Sequence, residues 1–318
     1  MKTKPFVIYT ASDEKFGDFI VDQWFRSLRE SVDLSRIDVR VLDFGLSTAQ
    51  RYFLEQNDVG IRRCVLDGHV AVIRFRELAL DLADSAYEQV LAVDGGDVIF
   101  QDDIAHLFLE NQDRFRAVQE DWKSGFEIFL KEEYFSKETI REIQLVTDTR
   151  PQINAGFLLG PRDLFLGLCG EIERLVLNKH YFGPDQLVVN KVLHGSGFVP
   201  LPRGCNFVLA TAQEGFVVDE GIFYSKVTLG KIPVVHNAGN WKFLRPIDNF
   251  GYGPGKNRLK PDVWSTLQFF HHANDMLSTA RNRIRRFART TLRKASSLQS
   301  RLNGDLPPIQ LGLRKTTP

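Results

Sequence analysis

The first hundred residues repeat one pattern: an apolar strand, an amphipathic helix, then another strand. Residues 5–12, PFVIYTAS, are rich in Val, Ile and Tyr and end in small polar residues, as a buried strand does. The following DFIVDQWFRSLRES sets Phe19, Ile20, Trp24, Phe25 and Leu28 at helical spacing. IDVRVLDFG (37–45) reads as a second strand, FRELALDLADSAYE (75–88) as a helix, and QVLAVD (89–94) as a third strand. Such alternation predicts an α/β domain with a largely parallel sheet. With 318 residues, 43% hydrophobic and 25% charged, the chain can bury a core of that size and is neither fibrous nor disordered.

Further along, residues 119–150 are highly charged and suit helices covering the sheet or a lid over it. INAGFLLG (153–160) and IPVVHNAGNWKFLRP (232–246) read as strands joined to Gly/Asn-rich polar loops. From Trp264 the chain turns helical and then basic, which places the main boundary near 262: one domain over 1–262 and an extension over 263–318. Charge divides the same way. Residues 281–318 hold ten Lys or Arg and one acid, a net +9, while the preceding 280 residues hold 31 basic and 39 acidic groups, a net −8. That split points to a tail with a partner of its own. No apolar run is long enough to span a bilayer, and the short apolar stretch at the N-terminus does not suit a secretory signal. Cys64, Cys169 and Cys205 are odd in number and lack CxxC spacing; they read as small buried hydrophobes in a reducing, cytoplasmic setting.

The third strand runs into acids: AVDGGDVIFQDDI (92–104) places Asp94 and Asp97 around Gly95 and Gly96. In open α/β sheets, ligands bind beyond the carboxyl ends of the strands. Mg²⁺ and similar hard cations are held by one or two carboxylates together with substrate phosphates. The two glycines would let the backbone turn and a phosphate approach. Taken alone, the stretch suits an ordinary Asp/Gly surface turn better. HNAGNWK (236–242) shifts that balance, because His236 offers an imidazole to complete a metal shell and Lys242 a point charge for a diphosphate. Asp102 and Asp103 read as cap or turn residues.

The order of these motifs resembles the family 8 type of retaining glycosyltransferases, which have the GT-A fold. The resemblance rests on Thr10, Ala11 and Asp13 in YTASDEKF; the acidic motif continuing into QDDIAHLF; Asn154-Ala155-Gly156; Asp185-Gln186 with Asn190; Leu201 to Phe207; and His236, Gly239 and Lys242. These run in order over residues 6–246, roughly three-quarters of the chain. The metal motif departs from the family's Asp-x-Asp and reads Asp94-Gly-Gly-Asp97, like the Asp-x-x-Asp of collagen-lysine glucosyltransferase domains. Phe243-Leu244 stand where the family has Pro-Trp, and Arg76, with Arg74 as its rival, is nearest to the family's donor-reaching arginine.

The resemblance implies a mixed, mostly parallel sheet flanked by helices and a metal-dependent transfer of a hexose from a UDP-sugar to a hydroxyl acceptor. It implies Mn²⁺ or Mg²⁺ on Asp94, Asp97 and His236, with donor contacts from Thr10, Ala11, Asp13, Arg76, Gly239 and Lys242. Asn154, Asp185 and Gln186 would face the sugar, and a glycan or glycolipid of the lipopolysaccharide kind would accept it. Two other readings compete. A sugar-1-phosphate nucleotidyltransferase also uses carboxylates and a metal, but it would carry a Gly-rich basic loop behind strand one, where this chain reads TASDEKFGDF. A non-catalytic nucleotide-sugar-binding protein is the second. In the tail, Leu277, Ile284, Phe287, Leu292 and Leu298 form an apolar helical stripe among arginines, which suits either a helix packed on the acidic body or a basic amphipathic helix over 276–302 on an anionic membrane surface. Phe287 is the tail's only aromatic residue, so it offers no stacking platform for nucleic acid.

Overall fold

A computed structural model describes residues 4–120, 129–148, 150–212, 214–219 and 221–238. The domain boundary near 262, the extension over 263–318, Gly239 and Lys242 lie outside those residues.

Strand β1 (Phe6–Ser12) is buried along almost its whole length. Its residues alternate between two cores: Val7 and Tyr9 join one cluster, Phe6 and Ile8 the other. A strand covered on both faces needs an unbroken apolar run, and that is what the sequence supplies. After a short capped turn come α1 (Gly17–Phe19), a π-helical stretch (Ile20–Phe25) and α2 (Arg26–Ser31). Together they bury Ile20, Trp24, Phe25 and Leu28, the face read from spacing. Next come β2 (Ile37–Asp43), α3 (Thr48–Glu55), β3 (Gly60–Arg63), α4 (Val70–Leu82) and β4 (Gln89–Val93). Helix α3 opens on a capping box, Ser47 with Gln50, which satisfies two orphan amide donors.

The sequence reading starts the fourth helix at 75, whereas α4 starts at Val70. The β-branched run Val70–Ile73 imitates a strand locally, but His69 caps the helix and Val72 and Ile73 pack into the core, so tertiary burial overrides propensity. The consequence is that Arg74 lies inside the helix.

The chain continues through β5 (Val98–Phe100), β6 (Arg116–Gln119), α5 (Lys137–Thr147), β7 (Ile153–Pro161), α6 (Arg162–Leu175), α7 (Pro184–Ser196), β8 (Val199–Pro200), β9 (Phe207–Val208), β10 (Phe216–Asp219), β11 (Ile222–Ser225) and β12 (Val234–His236). Of the charged segment 119–150, residues 137–147 are helical, and 121–128 lie outside the described residues. The main sheet has seven strands in the order β3-β2-β1-β4-β7-β6-β8. Strands β3, β2, β1 and β4 are parallel; β7 alone is reversed, antiparallel to both β4 and β6. The sheet is thus mixed, mostly parallel and covered by helices, as expected. One core holds residues of α4, α6 and α7 and the other holds Trp24 and its neighbours. Truncating Trp24, fully buried, to alanine would cost about 3–5 kcal/mol.

Two small sheets complete the described fold. In one, β5 pairs antiparallel with β12, and β12 pairs parallel with β9; the other is the β10–β11 hairpin. Cys169 and Cys205 are buried and Cys64 half-buried, all as free thiols that burial pushes up to about 12, 11 and 12 respectively. They are therefore weak nucleophiles at neutral pH. No helix among the described residues is long and apolar enough to cross a membrane.

Candidate metal centre and donor site

The order 3-2-1-4 puts a crevice between the carboxyl ends of β1 and β4, where successive crossovers leave in opposite directions. Asp94 follows β4 directly, and its amide donates to the Gly156 carbonyl at 2.9 Å, extending the β4–β7 ladder by one bond. Because β7 is reversed, its first residues, Asn154 to Gly156, arrive at this same edge. Asp97 precedes β5, and β12 brings His236 opposite Val98. The Asn237 amide then donates to the Asp97 carbonyl at 2.8 Å. Three separate strand pairings therefore converge on one point.

There, single ligand atoms of Asp94, Asp97 and His236 lie within 4.8 Å of one another. Nε2 of His236 is 3.2 Å from Asp97 Oδ1 and 3.5 Å from Asp94 Oδ2. The imidazole is wholly buried, and Nε2 faces these two carboxylates. Nδ1 lies 2.9 Å from Asn206 Oδ1. Burial opposes protonation of the ring, but Asp97 and then Asp94 outweigh it and hold the pKa above the usual histidine range. A neutral ring with its lone pair facing two carboxylates is repulsive unless something positive stands between them. One nitrogen and two carboxylates form a donor set suited to Mn²⁺ or Mg²⁺, with the imidazole favouring Mn²⁺.

Arg74, its side chain 13% exposed, bridges the acids. Its guanidinium pairs with Asp94 Oδ1, donates to the Ala155 carbonyl at 3.2 Å and lies 4.0 Å from Asp185 Oδ2. Burial would lower its pKa, but Asp94 and Asp185 more than offset that. Asp94 thus divides its oxygens, one to Arg74 and one to the His236 side. Arg76 points elsewhere, to Asp67 at 2.9 Å and Glu77 at 2.7 Å. Of the two arginines weighed from sequence, the structure brings Arg74 to the acids and not Arg76.

The other predicted residues are placed less uniformly. Asp185 is buried at the start of α7 with Oδ1 unpartnered; burial lifts its carboxyl to about 6, opposed by Arg74 and aided by Asp94. Gln186 binds the backbone of β7, accepting from Ala155 N at 2.8 Å and donating to the Ile153 carbonyl. Asn190 holds the same strand at Ile153, so this pair clamps α7 to β7. Asn154 turns its amide to Glu120, Gly156 and Asn206. Asp13 caps the turn after β1, accepting from Phe16 N at 3.3 Å. Thr10 is buried at the end of β1 with Oγ1 unpartnered, next to half-buried Ala11.

The glycines act differently from the sequence reading. A Cβ on Gly95 would stand 2.5 Å from Thr10 Oγ1 and 2.6 Å from the Ala11 carbonyl, and one on Gly96 would stand 2.7 Å from the Phe16 ring. The space they leave is filled by β1 and Phe16, not kept for a phosphate. Gly156 is the glycine that opens the centre: its Cβ would meet His236 Cε1 at 2.5 Å and Asp94 Oδ2 at 2.6 Å. Glu120 and Asn206 also bear on the site and were not legible as site residues. Their only trace in the sequence was the position of Asn206 inside the Leu201–Phe207 stretch.

Solved structures resemble this arrangement of strands. An active-site mutant of LgtC superimposes with a TM-score of 0.51 at 16% identity, over 83% of this chain and 95% of that one. This is a GT-A fold. The galactosyltransferase LgtC in complex with donor and acceptor sugar analogues gives 0.50 at 14% identity, over 82% and 95%. The bifunctional glycosyltransferase WbbM gives 0.51 at 15%, over 76% of this chain and 46% of that one, so the chain spans under half of WbbM. No protein-family model and no curated protein matches the sequence. At these identities the likeness is one of fold, and the chemistry of this GT-A chain has to be argued from its own crevice.

Proposed function

We propose that the chain is a metal-dependent, retaining glycosyltransferase that moves a hexose from a nucleotide-diphosphate sugar, a UDP-sugar by resemblance, to a hydroxyl of a glycan or glycolipid. The observation that carries this reading is the convergence of the wholly buried Nε2 of His236 with Asp94 and Asp97 at the β1/β4 crevice. Asp94, Asp97 and His236 would hold the ion. Bound there, Mn²⁺ or Mg²⁺ supplies Lewis-acid stabilisation of a departing diphosphate.

The remaining groups have separate tasks. Arg74 holds Asp94 in place and offsets its charge. Thr10, Ala11 and Asp13 line the β1 side of the crevice, where a nucleoside would lie, and Lys242 and Gly239, outside the described residues, belong to the diphosphate by resemblance. In the transfer, the bond from the anomeric carbon to the phosphate oxygen breaks and one to the acceptor oxygen forms. The acceptor's proton passes to the leaving diphosphate on the same face. Asp185 orients the sugar rather than acting as base; Gln186 and Asn154, bound to their neighbours, act by holding the crevice in shape. Support for a saccharide acceptor comes from Phe182, 59% exposed, edge-on to His69 at 5.3 Å and to Phe129 at 5.9 Å, three residues before Asp185. A ring face of this kind suits the C–H face of a sugar. The reading keeps the protein cytoplasmic, with residues 276–302 on the anionic inner face of the membrane, where each basic residue adds about 1 kcal/mol.

The test is release of UDP or GDP from UDP-Glc, UDP-Gal, UDP-GlcNAc and GDP-sugars with Mn²⁺ and with EDTA, followed by proton NMR of the first-formed product. Metal-dependent release and an unchanged anomeric configuration are expected. Undiminished turnover in EDTA would end the metal reading, and an inverted linkage would make Asp185 a general base. Intact donor throughout would favour a carrier that binds nucleotide sugars. Full-length protein that ignores anionic vesicles at low salt would return the tail to a packed helix.

A further inference from the structure

We infer that Asn206 is a positioning residue: a one-way hydrogen-bond relay, Glu120–Asn154–Asn206, holds the proton of neutral His236 on Nδ1 and so aims the Nε2 lone pair at Asp94 and Asp97. The consequence for a cation rests on the metal reading above; the relay itself does not.

The direction of the relay is fixed at its start by two groups that cannot reverse. The backbone N–H of Gly156 can only donate, and it lies 2.8 Å from Asn154 Oδ1. An ionised Glu120 can only accept, and its Oε1 lies 2.8 Å from Asn154 Nδ2. Both identify the same end of the Asn154 amide as oxygen. That oxygen also accepts from Asn206 Nδ2 at 3.3 Å. The Asn206 oxygen must then be its other end, and it lies 2.9 Å from His236 Nδ1. An amide oxygen cannot donate, so Nδ1 carries a hydrogen, and whenever the ring is neutral Nε2 is the nitrogen with the lone pair. Turning the Asn206 amide over would set two amide oxygens 3.3 Å apart and give up the bond to Asn154.

Burial makes the relay binding on the ring. Asn206 is 2% exposed, His236 wholly buried and Glu120 9% exposed, so solvent offers little substitute for a lost partner. Metal-ligating histidines commonly donate their second nitrogen to an outer partner, and that partner sets which nitrogen is free. Here the partner is an uncharged amide whose own direction is imposed from Glu120, 86 residues earlier in sequence than Asn206. Asn154, which the resemblance turns toward the sugar, sits in the middle of this chain of bonds.

The experiment uses full-length protein with ¹⁵N-labelled histidine and two variants, N206L and N206D. Leucine removes the acceptor, whereas aspartate keeps an oxygen for Nδ1–H, gives up the bond to Asn154 and adds a negative charge. Ring ¹⁵N shifts are read on metal-free protein as pH is raised until they show a neutral ring, and Mn²⁺ affinity is read by the free-ion EPR signal. Wild type and N206D should show the Nδ1–H tautomer and affinities within about 3-fold of one another, while N206L should lose that tautomer and bind Mn²⁺ about 10–100-fold more weakly. Circular dichroism establishes that each variant is folded. Retention of Nδ1–H and of affinity in N206L overturns the relay, and so does an equal loss in N206D, which would make Asn206 a packing residue. If wild type itself binds no Mn²⁺, the metal reading fails, and the ring shifts alone then decide the relay.

Discussion

Helix α4 carries two arginines two residues apart, and they serve opposite kinds of cluster. Around Arg76 each acid meets two cations: Arg76 pairs with Asp67 and Glu77, while Lys179 joins Asp67 and Arg62 joins Glu77. Arg76, then Lys179, holds the Asp67 carboxyl well below its usual range, as expected for a surface ion-pair network. Around Arg74 the acids are in excess: Asp94 and Asp185 share this cation, and Asp97 faces His236 beside them. Of eight buried polar side-chain atoms without hydrogen-bond partners among those residues, five belong to this edge: Thr10, Arg74, Asp185, His236 and Asn237. Buried polar groups are ordinarily satisfied, so a concentration of orphans marks a place built to receive something. The comparison separates a cluster that stabilises from one that is held ready at a cost.

The largest effect that could break this contrast is loss of the imidazole. H236A or D97N should lower metal-dependent turnover by about 10²–10³-fold with the fold retained, whereas R76Q should leave turnover unchanged within about 2-fold and cost less than about 1 kcal/mol. Equal losses in R76Q and H236A, measured as turnover alongside thermal midpoints, would erase the distinction.

The cost at the edge should appear as a pH dependence of stability. The folded pKa of Asp185 is raised to about 6 from a model-peptide value near 3.8. A raised carboxyl favours folding only while protonated; that contribution is complete below about pH 4 and is lost as pH rises through about 6. D185N should therefore stabilise the metal-free protein by about 2–3 kcal/mol at pH 8, with the gain vanishing near pH 4. Denaturant midpoints that differ equally at both pH values would contradict the placement of this carboxyl.

A smaller and more local effect comes from space. G156A should press on His236 and Asp94, costing about 1–3 kcal/mol in overpacking and weakening Mn²⁺ binding about 10-fold. Unaltered Mn²⁺ affinity would mean the centre can shift to admit a methyl group. The smallest effect belongs to the second acid pair. Asp103 accepts from Ala105 N at 3.0 Å and Asp33 N at 3.1 Å, so D103A should cost about 1 kcal/mol of stability and leave metal affinity alone.

What the sequence determined by itself is the layered fold and the residue types at its functional edge. Buried strands flanked by amphipathic helices leave few alternatives to a parallel α/β sheet, because each strand must be covered on both faces and each crossover must return to the same edge. Asp94, Asp97 and His236 could be picked out because acids and a histidine directly follow apolar runs. Tertiary structure alone decided how they meet. The reversal of β7 carries Asn154 and Gly156 to the edge reached by Asp94, and the β5–β12 pairing carries His236 across nearly 140 residues to Asp97. Periodicity reports which face a residue takes and says nothing of which partner it finds there. Hence Arg74 stood only as a rival to Arg76, Gly95 and Gly96 were read as room for a ligand when β1 and Phe16 fill it, and Glu120 and Asn206 went unread as site residues. Their importance lies in the direction of hydrogen bonds between segments far apart in sequence, and that direction exists only once the backbone groups fixing it are in place.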